Sequence, residues 1–367
     1  MLRISPDWMR LLPALITLTF LTGLVGVTII TSGGDPLSLA RIGTRFWEGD
    51  INGSEGYDGQ FDYYIAVNPE PAAVISHLDA PSYRYQRILL PLIVRLLSAG
   101  NARIIPWIFP LVTILAHFVG TWSVTQLLSS WKANYWYALT YGLWVGFALS
   151  ARLDLPETLA FGLVALAFYS IEKDRHFLSA LALSAAIFSK EVTIPFMGAI
   201  LLVYLSKRAW RNVIFITLVA ILPYLIFQVW LYKTFGNFGI ASGGAMATPF
   251  ELFPFMGLFR IWRYSPIYGW MMLIVFLPCM IGPAIWGVVV AFRQLLKYSV
   301  DGIVLAALFN CLVIFFLPFS TYRETGGLLR MSCGVILAVL LLAAKYRHTR
   351  ILNYSFMLIA YNAFLLK

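Results

Sequence analysis

The chain reads as an all-α, polytopic membrane protein of about eleven transmembrane helices, with interfacial helices in a long first extracytoplasmic loop. Three observations carry this. Of the 367 residues, 60% are hydrophobic and only 12% are charged, about half the charged share of a soluble domain, which excludes a water-soluble globule. About eleven apolar runs approach the roughly 20 residues that cross a hydrocarbon core. The basic residues between those runs fall mostly on alternate sides.

The runs lie at 11–31, 104–128, 133–151, 156–172, 177–190, 193–206, 212–232, 268–292, 302–319, 331–346 and 351–366. The first has a basic flank like a signal peptide, but its apolar stretch is too long, so an uncleaved first span is expected. The run at 177–190 is short for a span and the least supported of them. No internal repeat or linker divides the chain, so 1–367 reads as one transmembrane domain, with a first outer loop at 32–103 and a second at 233–267.

With the N-terminus in the cytoplasm, the inner segments hold thirteen basic residues: Arg3, Arg10, Lys132, Lys173, Arg175, Lys207, Arg208, Arg211, Arg293, Lys297, Lys345, Arg347 and Arg350. The short outer segments hold five: Arg152, Lys190, Arg323, Arg330 and Lys367. This favours a cytoplasmic N-terminus. Of the seventeen acids, only Asp7, Glu172, Asp174 and Asp301 lie inside, so the charged chemistry faces outward. The net charge of +10 is scattered rather than clustered, which reads as topology and implies no nucleic-acid partner. Cys279, Cys311 and Cys333 sit in apolar runs and imply neither a disulfide frame nor a metal cluster.

The first outer loop is rich in Gly, Pro, Asp, Tyr and Arg. In it, Arg84 to Ser98 places Arg84, Arg87, Arg95 and Ser98 at near-helical spacing on an apolar background, which predicts a helix along the interface, kinked or restarted at Pro91. Asp35 to Trp47 repeats that mixture over a shorter length and predicts a second interfacial helix. Between them, Gly56 to Glu70 (GYDGQFDYYIAVNPE) holds Asp58 and Asp62 four apart, on one face if helical. Gly56 and Gly59 permit a turn that leaves the Asp58 carboxylate at a helix start, facing either a substrate hydroxyl or, as an N-cap, its own backbone. The neighbouring aromatics Tyr57, Phe61, Tyr63 and Tyr64 suit a membrane-surface belt.

Further charged groups stand at outer span ends: Arg152, Asp154 and Glu157, then Lys190 and Glu191, then Arg323, Glu324 and Arg330. Snorkelling or local pairing explains any one of them. Converging beside an acidic loop, they suit a phosphate-bearing substrate entering from lipid, with a carboxylate to take a hydroxyl proton and cations to stabilise a leaving phosphate. His77, His117, His176 and His348 are dispersed, and no glycine-rich phosphate loop, HExxH or GxSxG is present.

Taken together, YDGQF at Tyr57 to Phe61, RYQRIL at Arg84 to Leu89, ARLDLPE, SKE at Ser189 to Glu191 and YRE…R from Tyr322 to Arg330 resemble GT-C type membrane glycosyltransferases. The nearest likeness is to bacterial cell-surface glycopolymer proteins. More distant ones are protein O-mannosyltransferases, lipid A aminoarabinose transferases and GPI mannosyltransferases. The resemblance implies a multi-pass protein of the bacterial inner or plasma membrane with an extracytoplasmic active site. It implies transfer, with inversion, of a sugar from a polyprenyl-phosphate donor to a hydroxyl of a glycan, lipid or protein acceptor.

By that resemblance Asp58 is the catalytic base or places the acceptor. Lys190, Arg323, Arg330, Arg84 and Arg87 hold the donor phosphate, and Tyr57, Gln60, Asp62, Arg152, Asp154, Glu157 and Glu191 line the sugar and acceptor cavity. The chain departs from the best-known members in lacking an adjacent acidic pair in that loop. Asp58 and Asp62 could together ligate Mg²⁺ or Mn²⁺ through oxygen, but two acids four apart are common on wet helices, and no metal or other cofactor is expected. The alternatives are a transporter or flippase of lipid phosphates or polyisoprenoid glycans, whose usual repeats and broken midplane helices are not visible, and a structural membrane subunit, which has no need of clustered outer charges.

Overall fold

The computed structural model describes residues 7–297 and 300–366; Arg3 and Lys367, used above to orient the chain, lie outside the described residues. All regular structure among the described residues is helical. The elements that build the membrane body and the site are α1 (Leu12–Thr31), α2 (Gly59–Val67), α3 (Pro81–Tyr85), α4 (Leu89–Leu97), α5 (Ile105–Ser130), α6 (Val145–Arg152), α7 (Glu157–Glu172), α8 (His176–Ser189) and α9 (Ile194–Ser206). They are followed by α10 (Trp210–Phe235), α11 (Pro266–Lys297), α12 (Gly302–Phe315), α13 (Thr325–Lys345) and α14 (Thr349–Ser355).

Five stretches are long and apolar enough to cross a membrane: Trp8–Thr31, which contains α1, then α5, α10, α11 and α13. This is a membrane protein by helix length and composition, but the expected count of eleven spans is not reached by those criteria. The six other runs form helices of 16 residues or fewer, or broken ones, and 16 residues rise only about 24 Å. The run at 133–151 is interrupted because Trp144 takes an extended backbone, with its indole N–H donating to the Leu329 carbonyl at 3.1 Å. The run at 302–319 stops at Phe315, ahead of Pro318. The run at 351–366 turns from α14 into a 3-10 helix at Phe356–Leu366. In α10 and α11 the expected spans persist through π turns at Thr217–Ile221 and Leu277–Ile281. Pro223 and Pro278 lie beside or within these turns, where a missing N–H widens the hydrogen-bond ladder.

The body is knit by α5 against α7 and α1, α7 against α8, and α12 against α9, α11 and α13. The α5–α7 crossing is close because Gly120 faces Gly162: a Cβ on Gly120 would lie 2.7 Å from the Gly162 Cα, the small-residue contact that lets membrane helices approach. A large apolar core spans the body, and a second cluster that includes Phe61, Ile65, Val74, Leu90, Val94 and Phe109 seats the 32–103 loop on α5.

That loop departs from the two expected interfacial helices. Asp35 to Trp47 forms a 3-10 turn at Pro36–Leu39 and a separate turn of helix at Thr44–Trp47. Arg84 to Ser98 is split between α3 and α4, with the new helix beginning at Leu89, two residues before Pro91. Its basic residues do not form a headgroup-facing stripe. Arg84 and Arg87 are buried, and Arg95 donates to the Ala66 and Val67 carbonyls, capping the C-terminus of α2.

Candidate active site

The site begins where α2 meets the body. Gly56 turns the chain at φ +67°, and Gly59 then lies against the connector between α6 and α7, where a Cβ would come within 2.2 Å of the Leu153 carbonyl. Asp58 occupies the helix-start position but makes no capping hydrogen bond, so it is not the backbone cap that its position allowed. Its Oδ1 meets Arg84 Nη1 at 2.9 Å and its Oδ2 meets Arg330 Nη2 at 3.3 Å. These partners come from α3 and from the start of α13, 272 residues away.

From Asp58 the network runs inward. Arg330 Nη1 reaches Glu157 Oε1 at 3.1 Å, and the same carboxylate oxygen accepts from Lys190 Nζ. Glu157 is fully buried at the start of α7, with Ser150 donating to its other oxygen. Arg84 also grips Asp79 with two parallel hydrogen bonds of 2.7 and 2.9 Å and lies over the Phe61 ring at 4.2 Å. Arg87 pairs with Glu191, Nε to Oε2 at 2.9 Å, and lies over the Tyr83 ring. The Tyr57 hydroxyl donates to Glu324 and accepts from Arg330 Nη2 at 3.0 Å. The 233–267 loop closes one side, with the Ala245 N–H donating to Asp79 and Ser82 bonding Ser242.

Burial alone would raise the Asp58 carboxyl, but Arg84 and then Arg330 more than offset it and hold the group well below the usual carboxylate range. Asp62, one turn further along α2, has neither a hydrogen bond nor an ion pair among the described residues; burial outweighs Arg87 and Arg84 and pushes it up to about 7. Asp154, in the left-handed backbone region at φ +52°, keeps one buried oxygen without a partner and is likewise raised by burial. Burial, more than the Glu324 contact, raises the Tyr57 phenol.

Of the residues singled out from sequence, the structure thus joins Asp58, Tyr57, Arg84, Arg330, Glu157 and Lys190 directly, and sets Arg87 with Glu191 beside them. Three lie apart. Arg323 is exposed, with no ion pair among the described residues. Arg152 turns to the C-terminal segment, its Nη1 donating to the Leu365 carbonyl. Gln60 is a strut, accepting from the Gly43 N–H and donating to the Glu55 carbonyl. No cluster of three or more metal-ligating His, Cys, Asp or Glu side chains occurs among the described residues.

Sequence reasoning missed Asp79 and Tyr83, the partners of Arg84 and Arg87. They lie five and four residues before those arginines, and that nearness was the available signal. An apolar groove of about 540 Å³ begins three residues past Glu191, lined by Ile194, Pro195, Gly198, Phe250, Phe309 and Phe316 among others. No protein-family model, curated protein or solved structure matches the chain.

Proposed function

We propose that this protein is a membrane glycosyltransferase that moves a sugar from a polyprenyl-phosphate donor to an acceptor hydroxyl at the extracytoplasmic face. The observation that carries the reading is the Asp58 carboxylate held between Arg84 and Arg330; an isoprenoid tail would take the apolar groove that starts at Ile194, three residues along the chain from Glu191. Among the acids ion-paired to the buried cations of the network, Asp58 and Glu324 are the most open to solvent, their side chains 30% and 51% exposed.

The four buried cations all have carboxylate partners, so a donor phosphate binds by taking over contacts now made to Asp58. As Arg84 and Arg330 turn to the phosphate, the charge that depresses Asp58 is drawn off and its proton affinity rises. The carboxylate then accepts the acceptor's hydroxyl proton while the new C–O bond forms at the anomeric carbon. The C–O bond to phosphate breaks on the opposite face, and the polyprenyl phosphate leaves as an anion neutralised by the guanidinium groups. Glu157 and Lys190, buried behind Arg330, position it.

The test uses the full chain in liposomes with undecaprenyl phosphates carrying radiolabelled hexoses or pentoses and envelope membranes as acceptor. Wild type is expected to release undecaprenyl phosphate and label the acceptor, and Asp58→Asn to lower the rate by about a hundredfold or more. Wild-type turnover undiminished in Asp58→Asn, or passage of the labelled lipid across the bilayer with its sugar still attached, overturns the proposal.

A further inference from the structure

A second cavity, of about 490 Å³, lies at the far end of α8 from the Asp58 cluster, lined by Arg175, His176, Phe177, Arg211, Asn212 and Phe215 among others. Connectivity explains its place. Helices α7, α8, α9 and α10 are joined by short connectors, which make consecutive helices run antiparallel. The connectors at 173–175 and 207–209 therefore share one end, and the connector holding Lys190 and Glu191 takes the other. The 14 residues of α8 separate the two ends by about 21 Å.

The cavity end is strongly basic. Lys173, Arg175, Lys207, Arg208 and Arg211 stand against Glu172 and Asp174. Asp174 is almost fully exposed and lies nearest His176, at 3.9 Å. Neither Arg175 nor Arg211 has a carboxylate partner among the described residues, and Arg211 rests over the Phe215 ring at 5.3 Å. The His176 ring is fixed by Nδ1 at 2.9 Å from the Tyr204 hydroxyl. Phe177 and Trp210, 51% and 60% exposed, flank these cations at a helix end, the depth at which aromatic side chains meet lipid headgroups. Two guanidinium groups without carboxylate partners among the described residues, that of Arg211 over the Phe215 ring, in a cavity also lined by Phe177, match a ligand that is anionic at one end and apolar at the other.

The geometry points to a binding site for an anionic phospholipid of the leaflet opposite the Asp58 site. Its phosphate lies between Arg175 and Arg211, and the first carbons of its acyl chains run along Phe177 and Phe215. The site is independent of the glycosyltransferase reading and stands whether or not a sugar is transferred. It accords with the excess of basic residues on that side, since a cytoplasmic leaflet is the one that carries acidic lipids.

The experiment takes the full chain, delipidated in detergent, and titrates it with dioleoyl-phosphatidylglycerol or dioleoyl-phosphatidylcholine, counting bound lipid by native mass spectrometry. One phosphatidylglycerol is expected to be retained in preference to phosphatidylcholine. Arg175→Ala with Arg211→Ala is expected to weaken it about a hundredfold, the loss of two charge-assisted hydrogen bonds. Lys173→Ala with Lys207→Ala, which removes equal charge outside the cavity lining, is expected to weaken it less than about tenfold. Equal retention of the two lipids by wild type, or equal losses in the two double variants, overturns the site. So does displacement of the lipid by millimolar inorganic phosphate, which would make free phosphate the ligand.

Discussion

Replacing Glu157 by Gln keeps the shape of a fully buried side chain and removes its charge. Oε1 of Glu157 holds both Lys190 Nζ and Arg330 Nη1, and Oε2 accepts from Ser150. After the change Arg330 still has Asp58 at 3.3 Å and Glu324 at 3.6 Å, but Lys190 keeps no carboxylate partner among the described ion pairs. Breaking a buried pair by removing one partner costs roughly 3–5 kcal/mol. The lower end applies here, because a lysine left unpaired in a buried site can shed its proton. A loss of about 3 kcal/mol raises the opened population more than a hundredfold.

Cys333 offers the readout, since it is fully buried three residues beyond Arg330. When reclosing outpaces labelling, the rate of maleimide addition to its thiol follows the opened population. Mass spectrometry of the Cys333 peptide from protein in detergent should therefore show labelling about a hundredfold faster in Glu157→Gln. A rate within about threefold of wild type would refute the claim that Glu157 anchors the two cations.

Three other outcomes follow from the same geometry. Asp62 titrates near 7 in the folded chain against an ordinary value of 3.8, so the folded state holds a proton that the unfolded chain releases. That contribution to stability is complete below about pH 4 and is lost as the pH rises to about 7. Asp62→Asn should accordingly gain stability relative to wild type between about pH 5 and pH 8 in thermal unfolding, and an equal difference at both values contradicts the buried, unpaired assignment. Gly59→Ala places a methyl against the Leu153 carbonyl and should cost about 1–3 kcal/mol; an unchanged unfolding temperature would show that α2 does not press on that connector. Arg84→Lys keeps the charge but cannot span Asp58 and both oxygens of Asp79. A loss of about 1–3 kcal/mol is expected in equilibrium unfolding, and full retention of stability would show that the forked geometry is not used.

Part of the site was legible in the chain itself. Asp58 between two glycines, and carboxylates and cations at several helix ends, are visible as residue types, and the structure joins Asp58 to Arg330 across 272 positions. The individual roles were not. Arg84, Arg87 and Arg95 show one helical spacing in the sequence, yet they separate into a fork on Asp79, a pair with Glu191 and a cap on α2. A break before Pro91 turns the two halves of the segment to different neighbours. Arg323 and Arg330 are alike in sequence as cations near a helix end, but only Arg330, at the start of α13, faces Glu157.

Composition and hydropathy by themselves determined that the chain is helical and belongs in a membrane, because backbone polar groups in hydrocarbon must be satisfied within each segment. That constraint is local and is written in every apolar run. Which runs continue unbroken was decided by contacts such as the Trp144 indole on the Leu329 carbonyl, and which charges meet was decided by how α2, α3, α7 and α13 pack. Ion pairing depends on distance in space, and only the folded chain sets the distances between residues far apart in sequence.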